Sequence, residues 1–176
     1  MKTILWGAVG LLLLAGPVLA QSEYGEANES QEEHESEYVR TPPAYYAQWL
    51  VDDMVATHVA VQAGEMAVVL DDTCRTIAAT DKEDLGELCG GDELEVMSEE
   101  EPDLEAPSKD EPVYELTLAL HDAKGNLIGT LGMELDPKDL NREGAMALAQ
   151  KVLKELEAKI PAKKSLFEEA PPKKSK

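Results

Sequence analysis

A segment in which apolar and polar residues alternate, together with the partner strand that follows it, constrains the fold of this chain more than any other feature. The first runs over residues 113–120 and the second over 127–135, and the turn between them contains Gly125, which can adopt a positive φ. The apolar face of the first strand consists of Tyr114, Leu116, Leu118 and Leu120, and that of the second consists of Leu127, Leu131, Met133 and Leu135. The pattern predicts an antiparallel hairpin with one face against a core.

Two helices and a further pair of strands are predicted around this hairpin. Apolar residues recur at helical spacing after Thr41, the expected N-cap of the first helix, and again between residues 141 and 159. Strand-forming residues at 67–70 and 74–79 flank a turn. Residues 92–111 contain ten acids without any periodicity and are predicted to form an exposed loop. This order of elements predicts an α+β fold, in which helices pack on an antiparallel sheet.

Both ends of the chain are expected to lie outside the folded domain, which is placed at residues 41–160. Residues 1–20 combine a lysine, an apolar stretch and small residues before Gln21, as a cleaved export signal does. Residues 21–40 hold seven Glu and one Arg and are expected to be an acidic disordered tail. Residues 161–176 hold five Lys and three Pro and are expected to be a basic tail. A periplasmic or secreted location follows, with no membrane insertion after cleavage.

The charge of the chain limits its partners. The formal net charge is −20 in 176 residues. Nucleic-acid binding is therefore not expected, because it requires Lys and Arg to neutralise the phosphates. A protein partner that docks on the acidic surface is expected to be basic.

Cys74 and Cys89 are the only cysteines of the sequence. In an exported chain we predict that they form a disulfide, with two free thiols as the alternative. Residues 81–92 loosely resemble a calcium-binding loop, but Leu85 occupies a position that should coordinate the ion. No specific metal site is therefore predicted.

Two segments resemble the Cache family of sensor domains. AVVLDDTCRTIAATDKEDLGELC is similar to the strand, turn and strand that lead into the "T-D-x-x-D-x-G" motif of those domains. VYELTLALHDAKGNLIGTLGMEL is similar to their later hairpin, although Ala119 stands where the family usually has proline. The resemblance implies a PAS-like antiparallel sheet with a long N-terminal helix and a C-terminal helix. It also implies binding of a small molecule outside the cell membrane.

The resemblance and the sequence pattern together suggest where a ligand would bind. Glycines of the second strand are expected to leave space beside the sheet, and the loop after Ala79 is expected to face that space. The candidate ligand-binding residues are Tyr46, Trp49, Tyr114, Gly129 and Gly132. No catalytic residue and no cofactor are predicted, so the chain is expected to be a non-enzymatic binding domain. The alternative is a structural or interaction protein that docks a basic partner or forms a homodimer.

Overall fold

The computed structural model describes residues 43–172, which contain three α-helices and five strands. The helices are α1 (Tyr45–Thr57), α2 (Gly91–Glu99) and α3 (Arg142–Glu157). The strands are β1 (Val61–Leu70), β2 (Thr73–Ala79), β3 (Asp103–Glu105), β4 (Tyr114–His121) and β5 (Leu127–Leu135), with short 3₁₀ segments at Pro137–Asp139 and Lys163–Phe167. The export signal, the acidic tail and Thr41 lie outside the described residues. No helix within residues 43–172 has the length and apolarity needed to cross a membrane.

The five strands form one antiparallel sheet in the order β2-β1-β5-β4-β3. The predicted hairpin is its centre, because β4 and β5 pair along their whole length. The α+β fold class predicted from the sequence is therefore confirmed, including the antiparallel sheet and the helices at both ends of the domain.

One side of the sheet, which we call the helix face, packs against α1 and α3. Directly paired residues lie on the same side of a sheet, so the pairs Leu116–Met133 and Leu118–Leu131 point to this face together. The helices contribute the buried residues Ala47, Leu50, Val51, Met54, Ala145, Ala149, Val152 and Leu156. This apolar layer is the core that holds the sheet in place.

The opposite side, the second face, is polar by comparison. Glu65 of β1 pairs with Gly132 of β5, and Gly132 pairs with Thr117 of β4, so these three residues lie side by side. Helix α2 packs near β4 and β5. Its Val96 is buried outside the main core cluster.

The predicted exposed loop at 92–111 was wrong in part, because it contains α2 and β3. The Glu93 carboxylate accepts a hydrogen bond from the backbone N–H of Gly90 at 2.7 Å, which satisfies a donor before the helix begins. Acidic residues in the first turn also interact favourably with the helix dipole. The helix was missed because Val96 is its one buried residue, so the segment has no apolar stripe.

Three other features differ from the sequence-based expectations. Helix α1 begins at Tyr45, with Ala44 at the N-cap position. Leu127 is 39% exposed, whereas it was expected to face the core. Beyond Pro161, where a tail was expected, Lys163–Phe167 forms a 3₁₀ turn and Leu166 is fully buried. The folded domain therefore extends past residue 160.

Candidate functional site

A cavity of about 350 Å³ lies on the second face of the sheet. Its floor is formed by residues 63–65 of β1, 115–117 of β4 and 132–134 of β5, and one side is the segment after β2. We call residues 80–89 the cavity loop, because four of them line the cavity: Thr80, Asp81, Asp84 and Glu87. The sequence-based expectation that the loop after Ala79 faces the space beside the sheet agrees with this placement.

The cavity wall is strongly acidic. Six carboxylates line it, three from the sheet and three from the cavity loop: Glu65, Glu115, Glu134, Asp81, Asp84 and Glu87. Among the described residues of the wall there is no Lys, Arg or His. We refer to this space as the acidic cavity, and to all the residues that line it as the cavity wall.

Glu65 is the most perturbed carboxylate of the acidic cavity. Its side chain lies over Gly132, where a Cβ would meet the Glu65 Cγ at 2.7 Å. Burial, and after it the nearby carboxylates of Glu93, Asp84, Glu87 and Glu134, together raise the pKa of Glu65 to about 6. A positive charge near Glu65 would therefore favour its ionised form.

Glu115 and Glu134 form a directly opposed pair of like charges on β4 and β5. Burial raises the pKa of Glu115 above its ordinary value, and Glu111, Glu105 and Glu134 raise it further. Opposed like charges destabilise a sheet, so this pair adds to the unfavourable negative potential of the cavity.

The cavity loop is attached to the sheet at both ends. At its start, Thr80 exchanges hydrogen bonds with Gly64: its backbone N–H donates to the Gly64 carbonyl at 2.9 Å, and its hydroxyl accepts from the Gly64 N–H at 3.0 Å. Near its end, Thr76 donates to the carbonyl of Glu87 and accepts from the N–H of Gly86. The loop thus runs back along β2 as a short, strand-like segment.

A disulfide between Cys74 and Cys89 closes the end of the cavity loop, as the sequence predicted. The two Cα atoms are 5.3 Å apart, within the range that a disulfide spans. The backbone N–H of Cys89 also donates to the carbonyl of Cys74 at 3.1 Å. Cys74 is buried and Cys89 is half-buried.

Of the five predicted ligand-binding residues, Gly132 is the one that lines the acidic cavity. Tyr46 and Trp49 lie on α1, with their rings stacked at 5.7 Å between centroids. The Tyr46 hydroxyl donates to the Lys159 carbonyl, and the Lys159 ammonium lies 5.9 Å from the Trp49 ring centre. Both aromatic residues therefore join α1 to the segment that follows α3.

Tyr114 and Gly129 also lie away from the acidic cavity. Tyr114 pairs with Leu135 and packs against the core. Gly129 leaves no space beside the sheet, because a Cβ there would overlap the backbone carbonyl of Ala67. The expectation that this glycine opens a pocket was wrong, since the strand it approaches fills the space.

Sequence reasoning missed the carboxylates that define the site. The available signal was the polar face of the hairpin, where Glu115 and Glu134 fall at positions that a hairpin pairs. Asp84 and Glu87 lie within residues 81–92, whose sequence loosely resembles a calcium-binding loop. Glu65 lies between these two sets of carboxylates. It was missed because the strand that carries it was predicted to begin at residue 67, whereas β1 begins at Val61.

A second cavity of about 310 Å³ lies at the other end of β4. There the His121 ring is held between Glu157, 3.1 Å from Nδ1, and Glu100, 3.1 Å from Nε2. Both ring nitrogens are engaged in these contacts, so they tie β4 to α3 and to the end of α2.

No protein-family model matches this sequence, and no curated protein matches it. Among solved structures, the GAF domain of a two-component sensor histidine kinase from Bacillus halodurans is 9% identical, with 66% of this chain and 95% of that chain covered and a TM-score of 0.49. A GAF sensor protein from Burkholderia vietnamiensis is 12% identical, with 68% and 76% covered and a TM-score of 0.49. The periplasmic domain of RsbU from Chlamydia trachomatis is 18% identical, with 66% and 41% covered and a TM-score of 0.40. None of these three is described as a Cache domain, so the Cache resemblance stays a prediction, and the likenesses assign no ligand to this chain.

Proposed function

We propose that this chain is an exported, non-enzymatic, sensor-type domain that binds a small positively charged molecule in the acidic cavity. The observation that carries the proposal is the cavity wall, where six carboxylates converge and no described residue supplies a positive charge. An anionic ligand would meet strong repulsion there, and a neutral ligand would leave the carboxylates without a counter-charge.

The size of the cavity favours a small ligand. A volume of about 350 Å³ is at the lower end of the range of about 300–1,000 Å³ that ligand pockets usually have. Six carboxylates are a large negative charge for a cavity of this volume. A compact molecule with more than one ammonium group would match both properties.

The spread of the carboxylates favours an extended cation over a single metal ion. Within residues 43–172, the groups of three or more possible metal ligands whose ligand atoms lie within 4.8 Å of one another are Asp92 with Asp103 and Glu105, and Glu105 with Glu111 and Glu115. Only Glu115 of these residues lines the acidic cavity. The cavity carboxylates therefore offer separate binding positions, as a linear polyamine requires, and no tight cage for a divalent ion.

The polar groups of the cavity support binding and give no support to nucleophilic catalysis. The Thr80 hydroxyl already accepts from the Gly64 N–H and donates to the Gly64 carbonyl at 3.1 Å. No Cys, Ser or His side chain lines the described cavity wall. A hydroxyl or thiol nucleophile with a base in reach is what acyl or group transfer would need.

Isothermal titration calorimetry of the full, oxidised chain with spermidine at low ionic strength tests the proposal. We expect saturable one-to-one binding, and we expect Glu65→Gln or Asp84→Asn to weaken it by roughly tenfold, which corresponds to about 1.4 kcal/mol. Glu169→Gln is the matched control, since it removes the same charge from an exposed residue outside the cavity. Equal weakening by all three substitutions would show a diffuse counter-ion effect and contradict the proposal.

A second candidate function is docking of a basic protein partner. It is favoured by the exposed carboxylates of Asp92, Asp103 and Glu105, which cluster beside the short edge strand β3. A pull-down at low and high salt separates the two functions. A partner that is retained at low salt and lost after Asp103→Asn, but kept after Glu65→Gln, would favour docking.

A further inference from the structure

The negative charge of the cavity loop is repelled by the negative charge of the sheet that the loop faces. It contains Asp81, Glu83, Asp84 and Glu87, and it faces three carboxylates of the sheet across the acidic cavity. Its one basic residue, Lys82, donates to the Ala79 carbonyl at 2.6 Å and does not line the cavity. Without a bound cation, electrostatic repulsion pushes this loop away from the sheet.

The attachments that resist this repulsion are unequal. At the start of the loop, Thr80 and Gly64 are joined by hydrogen bonds. At the end, hydrogen bonds between 74–76 and 86–89 are reinforced by the one covalent link, Cys74–Cys89. This link is outside the cavity wall, so it can change state without any change in the groups that would contact a ligand.

We propose that the Cys74–Cys89 disulfide holds the cavity loop against the repulsion of its carboxylates and thereby couples the redox state of the two cysteines to cation binding in the acidic cavity. This inference rests on the proposed function and adds a form of regulation to the same site. The oxidised chain presents all six carboxylates to a cation. The reduced chain keeps those of the sheet, but the loop carboxylates move apart.

The redox step is a thiol–disulfide exchange with a dithiol reductant. A thiolate of the reductant attacks the sulfur of Cys89, the more exposed partner, and the S–S bond breaks as Cys74 leaves as a thiolate. The second thiol of the reductant then attacks the mixed disulfide and releases Cys89. The chain gains two electrons and two protons, and the dithiol becomes a disulfide.

The coupling is reciprocal. If reduction weakens cation binding by a given factor, bound cation must make the disulfide harder to reduce by the same factor. A tenfold weakening corresponds to a reduction potential about 30 mV more negative in the presence of saturating cation. Oxidising conditions and a cationic ligand therefore favour the same closed arrangement of the loop.

The first experiment measures spermidine binding to the full chain by calorimetry, oxidised and after reduction by a phosphine, and to the double variant Cys74→Ser/Cys89→Ser. We expect an affinity at least about tenfold lower in the reduced protein and in the variant, with the global fold retained by circular dichroism. Equal affinity in all three proteins would overturn the coupling. No binding to the oxidised chain would contradict the proposed function, and the exchange measurement below still tests the role of the disulfide.

The second experiment measures hydrogen exchange of residues 80–89 and needs no ligand. Reduction should speed exchange in the cavity loop far more than in β4 and β5, and about 1 M NaCl should diminish the difference because the Debye length falls to about 3 Å. Asp84→Asn/Glu87→Gln in the reduced chain should restore protection. A loop whose exchange is unchanged by reduction, or whose loosening is independent of salt and of these substitutions, would overturn the inference. A redox titration with and without spermidine, read by thiol alkylation and mass spectrometry, checks the reciprocal shift even if the serine variant fails to fold.

Discussion

The backbone of Gly129 in β5 lies directly against the carbonyl oxygen of Ala67 in β1, and the space that a Cβ at position 129 would need is already occupied by that oxygen. The contact falls beside the pairing of Gly129 with Val68 and with Leu120, at the centre of the sheet. Absence of a side chain at this position is therefore a requirement of strand packing and not of ligand binding.

We predict that Gly129→Ala destabilises the domain by about 2–3 kcal/mol, because the added methyl group must displace backbone atoms. Urea denaturation monitored by circular dichroism measures the loss. Gly91→Ala is the matched control, since a Cβ there meets no atom within 4 Å. It should change stability by no more than about 0.5 kcal/mol. Similar effects at both positions would contradict the packing argument.

We predict that Glu65→Gln stabilises the unliganded chain near pH 8 by about 1 kcal/mol, an amount reduced for the partial exposure of Glu65. Since the pKa of Glu65 is raised from 4.5 to about 6, its contribution to stability is full below 4.5 and is lost as the pH rises through 6. The substitution should therefore have little effect at acidic pH. Thermal unfolding across this range checks the prediction, with Glu169→Gln as the control at an exposed position outside the cavity.

We predict that the titration of Glu65 also makes the affinity for spermidine depend on pH. Protonation of Glu65 removes one negative charge from the acidic cavity, so spermidine should bind more weakly as the pH falls through about 6. In Glu65→Gln the affinity should be lower and should vary less over that interval. A pH profile that is identical in the two proteins would contradict a contact between Glu65 and the cation.

We predict that Asp122 stabilises the turn of the hairpin chiefly as a carboxylate. Its side chain accepts from Asn126 Nδ2 at 2.9 Å and from the backbone N–H groups of Asn126 and Lys124. The side chain and backbone of Asn126 contribute most to lowering the pKa of Asp122, so its stabilisation is present above the ordinary value and is lost as the pH falls through the lowered one. Asp122→Ala should lower the unfolding temperature at neutral pH more than Asp136→Ala, because Asp136 accepts one bond, from Lys138 N–H. Equal effects would contradict this role.

We predict that Leu166→Ala costs about 2–5 kcal/mol, as truncation of a buried leucine does. Leu166 is fully buried although it follows the proline that ends the predicted domain. Leu127→Ala is the control, because Leu127 is 39% exposed and its loss should cost only about 0.5 kcal/mol. If removal of all residues after 161 left the unfolding temperature unchanged, the packing of this segment would be refuted.

The sequence predicted the elements that have their own periodicity. β4, β5 and α3 each combine a regular apolar repeat with a recognisable turn or cap, such as Asn141, whose side chain accepts from the Gly144 N–H. Helix α2 has no apolar stripe, so its capping and its contact with the sheet decide its structure. The 3₁₀ turn at Lys163–Phe167 was hidden for a similar reason, because a single leucine anchors it.

The candidate site was less predictable than the fold because it combines residues that are distant in sequence. The register of β1 with β5 places Glu65 beside Gly132, and neither residue alone indicates a cavity. The disulfide could be predicted because the chain has only two cysteines. For the predicted ligand-binding residues of the hairpin, the side of the sheet that each residue faces decides whether it can line the cavity. Tyr114 lies on the helix face, whereas Gly132 lies on the second face.

The pairing of the cavity loop with β2 also determines what the sheet presents to other molecules. One outer strand, β3, is only three residues long and carries Asp103 and Glu105. The other outer strand, β2, has backbone groups of Cys74 and Thr76 already bonded to Cys89, Glu87 and Gly86. Edge-to-edge aggregation begins with the addition of a strand to a sheet edge. Here one edge is short and charged and the other is already paired, so both disfavour such addition. The Cys74–Cys89 disulfide joins these two paired segments covalently, so it also keeps this edge of the sheet covered.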